Sequence, residues 1–270
     1  MKKNIILANS FPKAGTNLLS SILDLFPLLR FHKLILNRRL HWHPLNFVQP
    51  WSETCYSGIT QPRKVKLGTI HFQLLRLKNN QYTKSHLPYD TSLVDLIHNL
   101  GIKIVFIIRD PRDIMVSQMN YVRNNPDHYL FRFLKDKADK DFLAALYSGI
   151  KENNKQYLLS MKRRLKIVEG WMHDDRVFLV KFENLVGGKG GGGNEIQQKT
   201  INNLANYLGI KISLSEAASI GIQAFGRGAT FHKGSIGSYK NIMNHNLLCK
   251  INEELEDFLS LLNYELYYGK

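Results

Sequence analysis

The chain has 270 residues, with 37 Lys and Arg against 22 Asp and Glu, a formal charge of +15 and an isoelectric point near 9.7. That length buries a substantial core as one large α/β domain spanning 1–270, although length alone also permits two smaller domains. Two cysteines, Cys55 and Cys249, are too few for a disulfide framework and lack the CxxC spacing of a zinc site, and no apolar stretch approaches the roughly eighteen residues of a membrane span.

The N-terminus shows no signal-peptide apolar region, so a reducing, cytoplasmic setting is expected. The first element is the apolar run Ile5-Ile6-Leu7-Ala8, which reads as a strand. Pro12 and Gly15 interrupt it, and Leu18, Leu19, Ile22, Leu23 and Phe26 then recur at helical spacing. A helix N-terminus therefore follows the loop Ser10-Phe-Pro-Lys-Ala-Gly-Thr-Asn-Leu18. Its backbone N–H groups and helix dipole favour a phosphate or sulfate group, Lys13 adds a mobile full charge, and Thr16 and Asn17 supply further donors. A strict phosphate loop reads GxxxxGK[ST]. Here Lys13 precedes Gly15, the wrong order for an ordinary nucleoside-triphosphate enzyme.

The segment 31–57 holds His41-Trp-His43, Pro44, Pro50 and Trp51. Two histidines one residue apart suggest a metal site, but no third ligand stands at a convincing spacing, and no metal is expected. An aromatic-rich loop of this kind suits the wall of an acceptor pocket, with His71 and Phe72 lining it or belonging to the core. Next comes Lys84-Ser-His-Leu-Pro88, a histidine two residues before a proline, which by itself reads as a structural histidine.

From Lys103 to Ile108 five apolar residues follow the lysine and predict a strand, after which Asp110 caps a helix carrying Pro111 at its first position. Arg109 leaves the strand end and Ser117 falls about two turns into that helix. A guanidinium and a hydroxyl so placed suit a terminal phosphate; the other reading is an exposed strand end with a solvated Arg–Asp pair. Lys162-Arg-Arg-Leu-Lys166 reads as a solvated helix face, and the dispersal of the remaining basic residues argues against nucleic acid as the partner. The charge surplus still calls for an anionic partner, with an acidic carrier or a membrane surface among the options.

Arg176 to Phe182 predicts a further strand. Gly187 to Gly193 has six glycines in seven positions and reads as a flexible surface connection. Ile196, Ile201, Leu204, Ala205 and Leu208 predict a helix stopped by Gly209, and Phe231-His-Lys-Gly-Ser-Ile-Gly-Ser-Tyr-Lys-Asn241 sets basic groups around two glycines. A last helix uses Ile251, Leu255, Phe258, Leu259 and Leu262 as its core face. No internal repeat and no dimerisation motif stands out.

Taken in order, the motifs at 10–18, 84–88, 109–117 and 231–241 resemble the PAPS-dependent sulfotransferases of the cytosolic, small-molecule type, over nearly the whole chain. The resemblance implies a single three-layer α/β/α domain with a central parallel sheet, the sulfotransferase variant of the P-loop NTPase fold, and PAPS as donor with PAP as product. In the family's PKSGTTW loop, which holds the 5′-phosphosulfate, Pro12, Lys13, Gly15 and Thr16 match, whereas Ala14, Asn17 and Leu18 depart. Leu18 replaces a tryptophan that packs the adenine. Arg109 and Ser117 reproduce the 3′-phosphate pair. Lys233, Gly234, Gly237, Lys240 and Asn241 match the family's glycine element, with His232 in place of arginine and Tyr239 in place of tryptophan. Phe182 falls near the adenine, His86 on the catalytic histidine, and Lys84 on the lysine two residues before it. The absence of a membrane stretch argues against the membrane-anchored carbohydrate sulfotransferases.

Residue chemistry points the same way. Sulfuryl transfer, like phosphoryl transfer, passes through a loose in-line transition state, so positioning and charge stabilisation dominate. Lys13 offers the cation for the leaving phosphate, and His86, with an ordinary pKa of about 6.5, offers the base for an acceptor hydroxyl or amine. Two other classes compete. A P-loop-like kinase would share the strand–loop–helix start and need magnesium; a nucleotide- or nucleic-acid-binding module would keep the site without turnover.

Overall fold

The computed structural model describes residues 4–34, 36–48, 52–227 and 234–268. Its strands, among the described residues, are β1 (Ile5–Ser10), β2 (Arg30–Phe31), β3 (Thr54–Ser57), β4 (Arg63–Lys66), β5 (Gln81–Ser85), β6 (Ile102–Ile108), β7 (Ile150–Glu152), β8 (Lys155–Leu158) and β9 (Val177–Lys181). The chain divides into two compact units, Met1–Ile108 with Ile167–Ser235, and Arg109–Lys166 with Ile236–Lys270.

The first unit is an α/β fold built on a five-stranded sheet of order β2-β5-β1-β6-β9, parallel throughout. All six residues of β1 and six of the seven in β6 are buried, the near-continuous apolar signature of parallel strands covered on both faces. From β1 the chain crosses leftward through the helix Thr16–Leu25 to β2; from β5 it crosses rightward through the helix Thr91–Asn99 to β6. Right-handed crossovers running in opposite directions put those two helices on opposite faces, giving three layers, and the reversal lies between β1 and β6, where ligands of such sheets bind at the carboxyl ends of the strands.

Helix Thr16–Leu25 buries Leu19, Ile22 and Leu23, and helix Thr91–Asn99, capped by the Asp90 side chain on the Leu93 N–H, buries Leu93, Val94 and Ile97. Gly209 ends helix Asn194–Leu208 at φ 73°, as its position predicts. Strand β1 runs two residues past the apolar stretch, because Asn9 and Ser10, both fully buried, have hydrogen-bond partners there. Strand β9 stops before Phe182, which opens a helical turn, Phe182–Leu185.

Gly187 to Gly193, a connection largely exposed at the surface as its composition predicts, closes as a hydrogen-bonded turn. Gly190 and Gly192 N–H groups both donate to the Gly187 carbonyl, at 3.1 and 2.9 Å, and the Asn194 side chain accepts from Gly188 N–H at 2.8 Å. The glycines serve close approach: a Cβ on Gly190 would stand 2.2 Å from Val186 Cγ2, and one on Gly187 2.6 Å from Gln197 Oε1.

In the second unit, helix Pro111–Arg123 starts as predicted, with Asp110 accepting from Arg112 N–H and Pro111 in the first turn. Strands β7 and β8 form an antiparallel hairpin. Arg164, predicted on a solvated face, is fully buried on helix Met161–Lys166. Its guanidinium donates to Gln118 Oε1 at 3.0 Å and to the Leu146 carbonyl at 2.7 Å, and burial pushes its pKa down to about 10. The pattern missed it because one guanidinium among four basic residues looks like its neighbours until its partners are known. The last helix is two: the chain breaks at Leu255 (φ −112°, ψ 12°) into His245–Glu254 and Glu256–Leu261, while all five predicted core residues remain buried.

Candidate active site

The loop after β1 is held at both ends. Phe11 N–H donates to the Ile107 carbonyl of β6 at 3.3 Å, and Ala14 N–H to the Phe11 carbonyl at 3.1 Å. Two residues take the left-handed region, Lys13 at φ 70° and Gly15 at φ 110°. For Lys13 that conformation costs about 1–2 kcal/mol, strain of the kind concentrated at ligand loops. Gly15 has a steric reason as well: a Cβ there would lie 2.6 Å from Phe182 Cδ2 and 3.1 Å from Ile107 Cδ1. Ala14, which departs from the family pattern, is fully buried, so its methyl is part of the core. Pro12, Lys13, Thr16, Asn17 and Leu18 are half-buried.

Helix Thr16–Leu25 begins at Gly15 with no side-chain cap and no acidic residue in its first turn. An end left uncapped and uncompensated keeps its positive dipole and its first N–H groups directed at the loop, the arrangement that favours an oxyanion.

His86 follows β5, and register places it beside the end of β1, where Asn9 pairs with Ser85. Its Nδ1 lies 2.9 Å from the Ser10 carbonyl and 3.0 Å from Ser10 Oγ. A carbonyl only accepts, so Nδ1 carries the hydrogen and Nε2 keeps its lone pair. The Ser10 hydroxyl lies 2.7 Å from Thr16 Oγ1, linking the histidine to the first residue of helix Thr16–Leu25. Burial lowers the His86 pKa from its ordinary value; the Ser10 carbonyl opposes this, and the ammonium groups of Lys13 and Lys84 add to it. The neutral ring is therefore the form present at neutral pH.

Asn9 holds the histidine's strand end in place. Fully buried, it accepts at Oδ1 from Leu87 N–H (2.8 Å) and Ser85 Oγ (2.7 Å) and donates from Nδ2 to the Leu87 carbonyl (3.0 Å). Trp171 Nε1, also fully buried, donates to that carbonyl at 2.9 Å. The residues either side of His86 are thus fixed by one amide. Lys84 sits with Nζ 4.7 Å from the centroid of the Phe31 ring. Phe182 is buried, its ring against Gly15, and supports the loop.

In the second unit Arg109 is buried and its NH2 lies 3.5 Å from Asp113 Oδ2. Asp113 also accepts from Gly237 N–H at 2.8 Å and Tyr239 N–H at 3.2 Å, joining Arg109 to the glycine element. Burial raises the Asp113 pKa, with Arg109 opposing it. The buried Arg112 forks onto Asp110, at 3.0 Å from Nε and 2.8 Å from NH2, and covers the Tyr239 ring at 4.3 Å. Ser117 is half-buried, two turns along the helix. His232 and Lys233 lie outside the described residues; Gly234, described in the first unit, takes φ 59°. Sequence reasoning missed Asn9 and Asp113, although an amide ending an apolar strand and a carboxylate four residues beyond an arginine on a helix were both visible signals.

Among the described residues no group of three or more His, Cys, Asp or Glu is placed to hold a metal ion, and no helix is long and apolar enough to cross a membrane. His43 Nδ1 accepts from Leu45 N–H at 3.3 Å, a local backbone role.

In the first unit, a parallel sheet whose first strand leads through a glycine loop to an uncapped helix, with a neutral histidine beside it, has the form of a group-transfer site. Sequence comparison makes this specific: the family description Sulfotransferase domain matches residues 2–260, and the chain belongs to that family. No curated protein matches the sequence. Among solved structures, the mouse sulfotransferase SULT7A1 complexed with PAP is similar at a TM-score of 0.65 and 18% identity, over 98% of this chain and 90% of that one. Retinol dehydratase in complex with androsterone and the inactive cofactor PAP aligns at 0.60 and 16%, over 99% and 83%, and the same enzyme with retinol and PAP at 0.58 and 16%, over 100% and 84%. At these identities the likeness is one of fold.

Proposed function

We propose that this sulfotransferase uses PAPS as donor and transfers the sulfuryl group to a hydroxyl of a small-molecule acceptor. The observation that carries the reading is the link from the uncapped helix through Thr16 and Ser10 to a neutral Nδ1–H His86. The residues fit a phosphosulfate: Lys13 and Gly15 both in the left-handed region of the loop, and a helix end with no carboxylate. When bound, PAPS supplies an electrophilic sulfuryl group on a phosphate leaving group. Lys13 and the loop N–H groups, with Pro12, Ala14, Gly15, Thr16, Asn17 and Leu18 around them, hold the phosphate and offset its growing charge. His86 Nε2 takes the acceptor proton while Nδ1 stays on the Ser10 carbonyl, a base contribution of about a hundredfold to ten-thousandfold. Burial keeps the ring neutral, and the charges of Lys13 and Lys84 add to it.

Arg109, Ser117, His232, Lys233 and Gly234 are assigned to the 3′-phosphate on the family pattern, with Phe182 behind the nucleotide end of the loop. The family match running from 2 to 260 supports reading the chain as one sulfotransferase domain, and its two cysteines suit a cytoplasmic setting. The PAP, retinol and androsterone of the similar structures support a nucleotide donor and a small lipophilic alcohol as acceptor.

The test is transfer of radiolabelled sulfate from PAPS to a panel of phenols, alcohols and amines, without magnesium. Labelled alcohol or phenol product that disappears in His86→Ala supports the reading. A magnesium requirement with ATP as donor would replace it with a kinase.

A further inference from the structure

Two features are not used by the chemistry at Lys13 and His86: the charge surplus, and the exposed aromatic residues around 40–76, which overlap the segment that suits an acceptor-pocket wall. Between Leu36 and Lys78 the sequence holds seven Lys and Arg against a single acid, Glu53. Arg39, Arg63, Lys64, Arg76 and Lys78 are exposed. The same stretch exposes Trp42 and Phe47 (73% each), Leu75 (61%), Val48 (59%) and Phe72 (48%).

These side chains belong to one hydrogen-bonded block. Asn46 Nδ2 donates to the Leu40 carbonyl at 2.7 Å, while its Oδ1 accepts from Lys66 N–H at 2.7 Å and Thr69 Oγ1 at 2.9 Å. One amide therefore ties the turns carrying Trp42, Phe47 and Val48 to the β3–β4 hairpin and to the helix Leu67–Leu74, and the His43 and Phe72 rings lie 6.0 Å apart. The block has its own buried residues in Leu36, Leu40, Cys55, Val65, Ile70 and Leu74, so the exposed set is additional to its core.

We infer that this block docks on an anionic membrane surface, through apolar tips entering the headgroup boundary and cations over acidic lipids. The charges are complementary: with seven cations against one acid along 36–78, two copies of the block would repel, and Val48 and Leu75 add aliphatic surface that stacks on no base. An interfacial anionic bilayer satisfies both the tips and the charges. The inference rests on exposure and charge alone and stands apart from the catalytic proposal.

The experiment is co-sedimentation of the full chain with phosphatidylcholine vesicles, with or without about one-third phosphatidylserine, at low and high salt. The expected result is binding to the acidic vesicles on the order of tenfold tighter than to neutral ones, weakened by salt. Phe47→Ser with Leu75→Ser, and separately Arg63→Glu with Lys64→Glu, should each reduce binding on the order of tenfold, with unchanged circular dichroism. Equal binding to both vesicles, insensitivity to the substitutions, or self-association or RNA-oligonucleotide binding that the same substitutions abolish in place of vesicle binding would overturn it.

Discussion

Replacing Asn9 by alanine isolates what holds the histidine. The substitution deletes three hydrogen bonds, to Leu87 N–H, to Ser85 Oγ and to the Leu87 carbonyl. The carbonyl keeps Trp171 Nε1, so its loss is partial. Leu87 N–H, on a fully buried residue, is left with no acceptor. An orphaned buried donor costs about 1–3 kcal/mol and each of the two remaining bonds nets about 0.5–1.5 kcal/mol, so the expected destabilisation is about 2–6 kcal/mol. Asn9→Asp should do no better, since its second oxygen would face the Leu87 carbonyl with no hydrogen between them. Urea denaturation reads the stability loss as a lower midpoint at unchanged slope. In the fraction that remains folded, kcat should fall while PAP affinity holds, because the loop is anchored separately through Phe11 and Ile107. A midpoint within error of wild type, or PAP affinity falling in step with kcat, would refute the clamp.

Other predictions follow from the same geometry. His86→Ala should lower kcat by about a hundredfold to ten-thousandfold and leave PAP affinity intact, as measured by single-turnover transfer and titration. Because burial holds His86 below its ordinary pKa, activity should stay level through neutral pH and fall only on the acid side as the ring protonates; removing a neighbouring cation in Lys84→Met should move that acid limb to higher pH, and an unmoved limb would count against the assignment. Gly15→Ala forces a left-handed alanine against Phe182, costing at least about 1–2 kcal/mol by thermal denaturation, and pairing it with Phe182→Ala should relieve the contact but not the torsional part. Asp113→Ala leaves the Gly237 and Tyr239 N–H groups without their acceptor and should destabilise by about 2–4 kcal/mol in urea denaturation.

Much of the architecture was legible because apolar runs announce buried parallel strands: β1 and β6 read directly, as did the Asp110–Pro111 helix start and the Gly209 stop. The loop was legible through its glycine, lysine and following helical stripe. What periodicity hides is partnership. Asn9 and Arg164 look like residues for the surface until the backbone groups they satisfy come from strands and helices far away in sequence. The glycine run read as a surface connection, but composition omits the Val186 and Gln197 side chains that Gly190 and Gly187 approach. The break at Leu255 left its hydrophobic stripe unchanged, and a stripe is all that a pattern reads.

The most direct test is calorimetric titration of the protein, without magnesium, with PAP, ADP and ATP in turn. PAP should bind tightly and ADP more weakly for want of the 3′-phosphate, and Arg109→Ala should lose the preference for PAP. Preference for ATP, or equal affinity for PAP and ADP, would contradict PAPS as donor.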